Sequence, residues 1–168
     1  MLNFSKTTFN VVGKQYQSTD ATLVYLEIKA PICWWQVLDT MIDAKSNIEF
    51  ESLDLERGFS IGDFSHENLT KEGLENLEST IKYLNKIRNV WVSQKDKTDT
   101  RYFQEIIKSL PSSYLETRKI LLSYSDLSKI YKRLDDVHLD EWKQFAKRIE
   151  DLPESSRITG TYSYALKG

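Results

Sequence analysis

Polar and apolar residues alternate over positions 21–28 (ATLVYLEI), with Leu23, Tyr25 and Glu27 on one face and Val24, Leu26 and Ile28 on the other. That pattern predicts a strand with one wholly apolar face. Residues 2–12 mix Phe4, Phe9, Val11 and Val12 with threonines, and a shorter strand is expected there, ending at Gly13. Pro31 lacks the donor a strand ladder needs but fits a first helical turn, so a helix is expected from Pro31 to about Asp43. Ile32, Trp35, Leu38 and Ile42 would share its inner side. Residues 44–65 space their apolar positions irregularly around two glycines and read as an extended, loop-rich connection.

The clearest helical spacing follows, in Leu74, Leu77, Ile81, Leu84 and Trp91 behind a cap at Asn68 or Thr70. A polar turn at 95–100 leads to a short helix carrying Tyr102, Phe103, Ile106, Ile107 and Leu110, stopped by Pro111. Residues 114–122, with Leu115, Thr117, Ile120, Leu121 and Leu122, fit either a strand or a helix, and a strand pairing with 21–28 is the favoured reading. Ser125 is a candidate cap for a helix over 126–134, and Asp136 or His138 precedes a last helix with Leu139, Trp142, Phe145, Ile149 and Leu152. Residues 157–168 read as an edge strand or a flexible tail. Strands and helices that do not alternate regularly imply an α+β domain over 1–168, a small antiparallel sheet covered by helices.

The composition fits that picture. With 40% hydrophobic and 29% charged residues, the 168-residue chain can bury a core without disulfides or metal. Lys and Arg number 23 against 25 Asp and Glu, and a net charge of -2 gives no attraction for nucleic acid or anionic lipid. Neither is an expected partner. Cys33 has no second cysteine to pair with, no secretory leader is evident, and no apolar run approaches the roughly 18 residues a membrane span needs. A cytoplasmic location is expected.

Motif chemistry is sparse. His66 and His138 sit in no metal-ligand spacing, and nucleotide-loop and nucleophile-elbow patterns are absent, so no metal and no catalytic residue is assigned. Trp34 and Trp35 lie about 100° apart on a helix, so at most one would face the main core, and the other either forms a stacking wall for a base or belongs to a subunit contact or a second layer of core. Gln36 and Asp39, three apart, could read a ligand's polar edges or form a solvated face. Arg118, Lys119, Lys129, Lys132 and Arg133 make positions 118–133 the most cationic part of the chain. On a strand, Tyr114, Glu116, Arg118 and Ile120 share a face, and Arg118 turned toward Trp34 or Trp35 would suit a phosphate beside a base; the alternative is a solvated basic face balanced by Glu116, Asp126 and Asp135. His138, among Asp135, Asp136, Asp140 and Glu141, is either an acid/base candidate or a helix-start residue.

Two blocks, YLEIKAPICWWQVLDT and LPSSYLETRKILLSYSDLSKIYKRLDDVHLDEWKQFAKRIEDL, resemble the flavin-dependent thymidylate synthases in order and spacing. The resemblance implies that family's fold. It does not extend to the chemistry. That family's Arg-His-Arg-x-x-Ser-x-Asn-x-x-Ser-x-Arg flavin motif corresponds here to residues 40–52, where Asn47 alone falls in register. Ser123 and Ser125 stand where the family has Asn and Arg, and Arg133 is one position from its substrate arginine. No flavin or other cofactor is therefore expected. The chain also resembles small bacteriophage proteins sharing Ala-Pro-x-x-Trp-Trp-Gln, LPSSY and H-L-D-E-W.

These resemblances imply a phage-type, non-catalytic protein that binds a nucleotide or nucleotide-derived signal and interferes with host nucleotide metabolism or defence signalling. Its ligand residues would be Trp34, Trp35, Gln36, Asp39, Asn47, Arg118, Arg133 and His138. Two alternatives stay open: a divergent nucleotide-modifying enzyme using His138 or Asp39 as acid/base, and an inhibitor that binds a host protein. Self-association is expected from the relatives and from the surplus of Trp and Tyr that interfaces favour.

Overall fold

The computed structural model of the chain describes residues 7–17, 21–42, 48–50 and 53–160. Strand β1 (Thr8–Gln17) pairs antiparallel with β2 (Ala21–Pro31), Phe9 opposite Ile28 and Val11 opposite Leu26. Gly13, expected to end the strand, lies inside it. The register jumps between Val11 and Gly13, so Val12 is the extra residue of a bulge and pairing resumes at Gly13 opposite Tyr25.

As predicted, β4 (Leu115–Ser123) pairs with β2, with Ile120 opposite Leu26 and Leu122 opposite Val24. A short strand β3 (Ile48–Phe50), within the stretch expected to be irregular, completes the antiparallel order β1-β2-β4-β3. Val24, Leu26, Ile28 and Ala30 of β2, Phe9 of β1, and Ile120 and Leu122 of β4 are buried in one core.

Helices cover that core face. They are α1 (Ile32–Asp39), α4 (Tyr124–Tyr131), α5 (Asp140–Glu150) and the one-turn α6 (Ser156–Thr159). Helix α1 stops at Asp39 instead of running to Asp43, because the Thr40 N–H turns back to Leu38 and Val37 and its hydroxyl donates to the Val37 carbonyl at 2.7 Å. Ser123, not Ser125, caps α4, accepting from the Asp126 N–H at 3.0 Å while Asp126 accepts from the Ser123 N–H at 3.1 Å. Residues 157–159 are helical and form no edge strand; 161–168 lie outside the described residues.

A second core lies beneath α2 (Lys71–Ser93) and α3 (Arg101–Ser109), where Leu77, Ile81, Leu84, Ile87 and Ile106 enclose Leu55, Phe59 and Phe64. Thr70 caps α2, accepting from the Gly73 N–H at 3.1 Å; Asn68 bonds Asp140 instead. The loop at 53–64 is pinned to α2 by polar side chains. Asn85 accepts from the Phe59 N–H at 2.8 Å and donates to its carbonyl at 2.9 Å, and Arg88 donates to the Leu55 carbonyl at 2.8 Å. Among the described residues no helix is long and apolar enough to cross a membrane.

Asp63 closes this loop. Burial would raise its pKa, but two Arg57 bonds at 2.6 and 2.9 Å, together with the Ser60 N–H and hydroxyl, outweigh burial and hold it at about 2. The folded pKa lies below the unfolded value, so this stabilisation is present above about pH 4 and is lost as pH falls toward 2. Its size is about 1–2 kcal/mol, because Arg57 is more than half exposed and solvent screens the pair. Asp63→Asn should flatten the fall in denaturation free energy between pH 5 and 2 relative to the native chain.

Candidate functional site

The structure brings some of the expected ligand residues together, but as core. Trp34 is fully buried, stacked on Trp142 at 4.5 Å and 25°, with Phe145 edge-on at 5.3 Å and Phe9 at 5.6 Å. Trp35 is also fully buried, its indole N–H donating to the Glu116 carbonyl at 3.2 Å. Neither ring has a face open to a base, so of the alternatives the second layer of core holds and the stacking wall does not. The reason is that α1 is wedged between the sheet and α5, so two of its faces are inside.

Arg118 does turn toward Trp35, its guanidinium 4.5 Å from the ring centroid. The same guanidinium donates to Glu116 at 2.8 and 3.1 Å and pairs with Asp39 at 3.3 Å, and the residue is 8% exposed. This is a cation buttressing the core between two carboxylates, which corrects the expected phosphate contact. Gln36 is exposed on α1, Arg133 is exposed after α4, and Asn47 lies outside the described residues. His138 belongs to a different place.

That place is the hinge between β2 and α1. The first N–H groups of α1 need acceptors from outside the helix, and Ile32 and Cys33 find them in the carbonyls of Tyr114 and Ser112, at 3.0 and 2.9 Å. The Ser65 N–H donates to the Ser113 carbonyl at 2.8 Å, and Phe64 bridges Tyr114. These bonds hold three of the four segments that line a cavity of about 330 Å³. Pro31 and Cys33 come from the hinge, Ser65, His66 and Asn68 from the loop before α2, Ser112 and Ser113 from the turn before β4, and His138 to Glu141 from the start of α5.

The cavity's polar groups are held in set states. Glu141, 8% exposed, accepts from the Ser65 hydroxyl at 2.8 Å. His66 Nδ1 lies 2.8 Å from the Phe64 carbonyl, which can only accept, so Nδ1 carries the proton and Nε2 is the acceptor in the neutral ring. Burial first, and the Glu141 charge second, push the Cys33 thiol up, leaving it protonated at neutral pH and a poor nucleophile. Asp140 is held by Lys143 at 2.7 Å and by the Asn68 amide at 3.0 Å. Among the described residues no lysine or arginine lines the cavity.

A cavity of about 260 Å³ on the other side of the Ile32–Tyr114 junction is lined by Lys29 and Arg57 against Asp54, Asp63 and Glu116. Its cations are outnumbered, and Arg57 is committed to Asp63. Of the hinge cavity, the sequence singled out His138 but not Ser65, His66, Ser112, Ser113 or Glu141 as ligand residues. A signal was available: the Ala-Pro-x-x-Trp-Trp-Gln, LPSSY and H-L-D-E-W blocks all contribute to its wall.

No family profile matches the chain, and no curated protein sequence matches it. Solved structures do. Two structures of the flavin-dependent thymidylate synthase of Helicobacter pylori, each complexed with FAD and dUMP, match over 81% of this chain and 70% of theirs. Identity is 16% and the TM-scores are 0.52 and 0.54. The chain therefore has an α+β fold similar to that of those enzymes.

Proposed function

We propose that this chain is a non-catalytic binding protein for a nucleotide-derived ligand, held in the hinge cavity through its base and sugar. The observation that carries the reading is the meeting of three separated sequence blocks around a buried carboxylate, in a cavity whose volume falls in the usual range for small ligands. Serine hydroxyls, an asparagine and two histidines supply orienting contacts; Pro31, Leu69 and Leu139 supply apolar surface for a ring. The similarity to enzymes solved with FAD and dUMP supports nucleotide chemistry as the first class to test.

The absence of lysine and arginine from the lining favours the base and sugar over the phosphate. The non-catalytic reading is supported by the Cys33 thiol, which burial keeps protonated, and by Asp39, which is paired with Arg118 and does not line the hinge cavity. The wider role, a phage-type protein that interferes with host nucleotide metabolism or defence signalling, is part of the same proposal. The test is whether added nucleosides shift the backbone amide resonances of Cys33, Ser65, Ser113 and Glu141.

A second reading, an interaction module for another copy or a host protein, is favoured by one observation. Val11 and Val12, 52% and 55% exposed, lie at the bulge of the sheet's outermost strand.

A further inference from the structure

We infer that the hinge cavity selects a planar ligand edge with two adjacent N–H donors, the edge that guanine presents through N1–H and its 2-amino group, and that Glu141 is the residue that reads it. This rests on the nucleoside reading above and names its base. Glu141 is buried to 8% exposure, lines the cavity, and among the described residues receives a single hydrogen bond, from Ser65 to Oε1. Each carboxylate oxygen accepts two bonds, so Oε2 and the second lone pair of Oε1 remain for a ligand. A buried carboxylate demands donors, and a planar pair of N–H groups meets both oxygens at once.

The rest of the lining selects among donor-bearing ligands. Uracil and thymine offer one N–H between two carbonyls, which would set a carbonyl oxygen against the Glu141 charge. Adenine offers its amino group beside a ring acceptor. Guanine alone of the common bases pairs N1–H with an adjacent amine, and its O6 needs a donor of the kind the Ser112 and Ser113 hydroxyls provide. Among the described residues the charged groups of the lining are Asp140, paired with Lys143, and Glu141, whose carboxylate would repel a phosphate, so the nucleoside should bind more tightly than its monophosphate.

A guanidinium shares the same two-donor edge, so the experiment titrates the full chain with guanosine, inosine, uridine, guanosine monophosphate and methylguanidine, by calorimetry and by amide shifts. Inosine lacks only the 2-amino group. Guanosine is expected to bind about tenfold or more tightly than inosine or uridine, and Glu141→Gln, which keeps the side chain's shape, should remove that preference. Equal binding of guanosine and uridine at the hinge, unchanged in Glu141→Gln, overturns the base assignment and leaves the nucleoside reading standing. Methylguanidine binding without any nucleoside overturns the nucleoside reading and keeps the two-donor site. No binding by any of the five overturns both. The ligand series on the native chain decides these outcomes even if the variant fails to fold.

Discussion

Trp34→Ala is expected to cost about 3–5 kcal/mol of folding stability, the largest effect of any single change considered for this chain. Trp34 is the centre of the aromatic cluster: Phe9 from β1, Trp35 from its own helix, and Trp142 and Phe145 from α5 all meet its ring. Its removal opens a cavity at the one place where β1, α1 and α5 converge, and close-packed neighbours collapse only partly into such a void. Urea denaturation reads the loss directly. Trp142→Phe makes the informative contrast. The Trp142 indole N–H is buried without a hydrogen-bond partner among the described residues, so phenylalanine removes an uncompensated donor along with some volume. Its cost should fall well below that of Trp34→Ala.

Arg118→Ala is expected to cost about 2 kcal/mol. Breaking a fully buried ion pair costs more, but Glu116 and Asp39 keep about a third and about half of their side-chain surface in water, so each is partly resolvated when the guanidinium leaves. The flat cover over the Trp35 ring goes with it. Arg118→Lys should recover only part of the loss, because an ammonium keeps the charge but loses both the fork that meets Glu116 twice and the stacking plane. The same denaturation series measures both variants. Ligand binding at the hinge should be unaffected in either, since Arg118 does not line that cavity.

What the sequence revealed of this fold follows from which forces are local. The run at 114–122 fits strand or helix by pattern and is settled only by its ladder with β2, whereas the alternation at 21–28 made that strand legible from the residue pattern alone. Pro31 marked the strand-to-helix hinge for the same reason: its missing donor is a property of one residue. The bulge at Val12 was not legible, because an extra residue in a ladder changes pairing without changing composition. The burial of both Trp34 and Trp35 was one of the alternatives that the sequence left open, because whether α1 hides one face or two depends on where α5 packs. The hinge cavity was half legible. Its hinge, LPSSY and H-L-D-E-W walls stand in recognisable blocks, whereas Ser65 and His66 come from a loop with no periodicity, whose course is set by Asn85 and by the Phe64–Tyr114 bridge.

With the ligand site at the hinge, away from the tryptophans, an amide and indole N–H shift map of the chain titrated with guanosine will locate it there. Shifts are expected to be confined to residues 32–33, 65–69, 112–113 and 138–141, with the Trp35 indole signal unmoved. Shifts centred on Gln36, Asp39, Arg118 and the Trp35 indole, with the hinge silent, would contradict that placement.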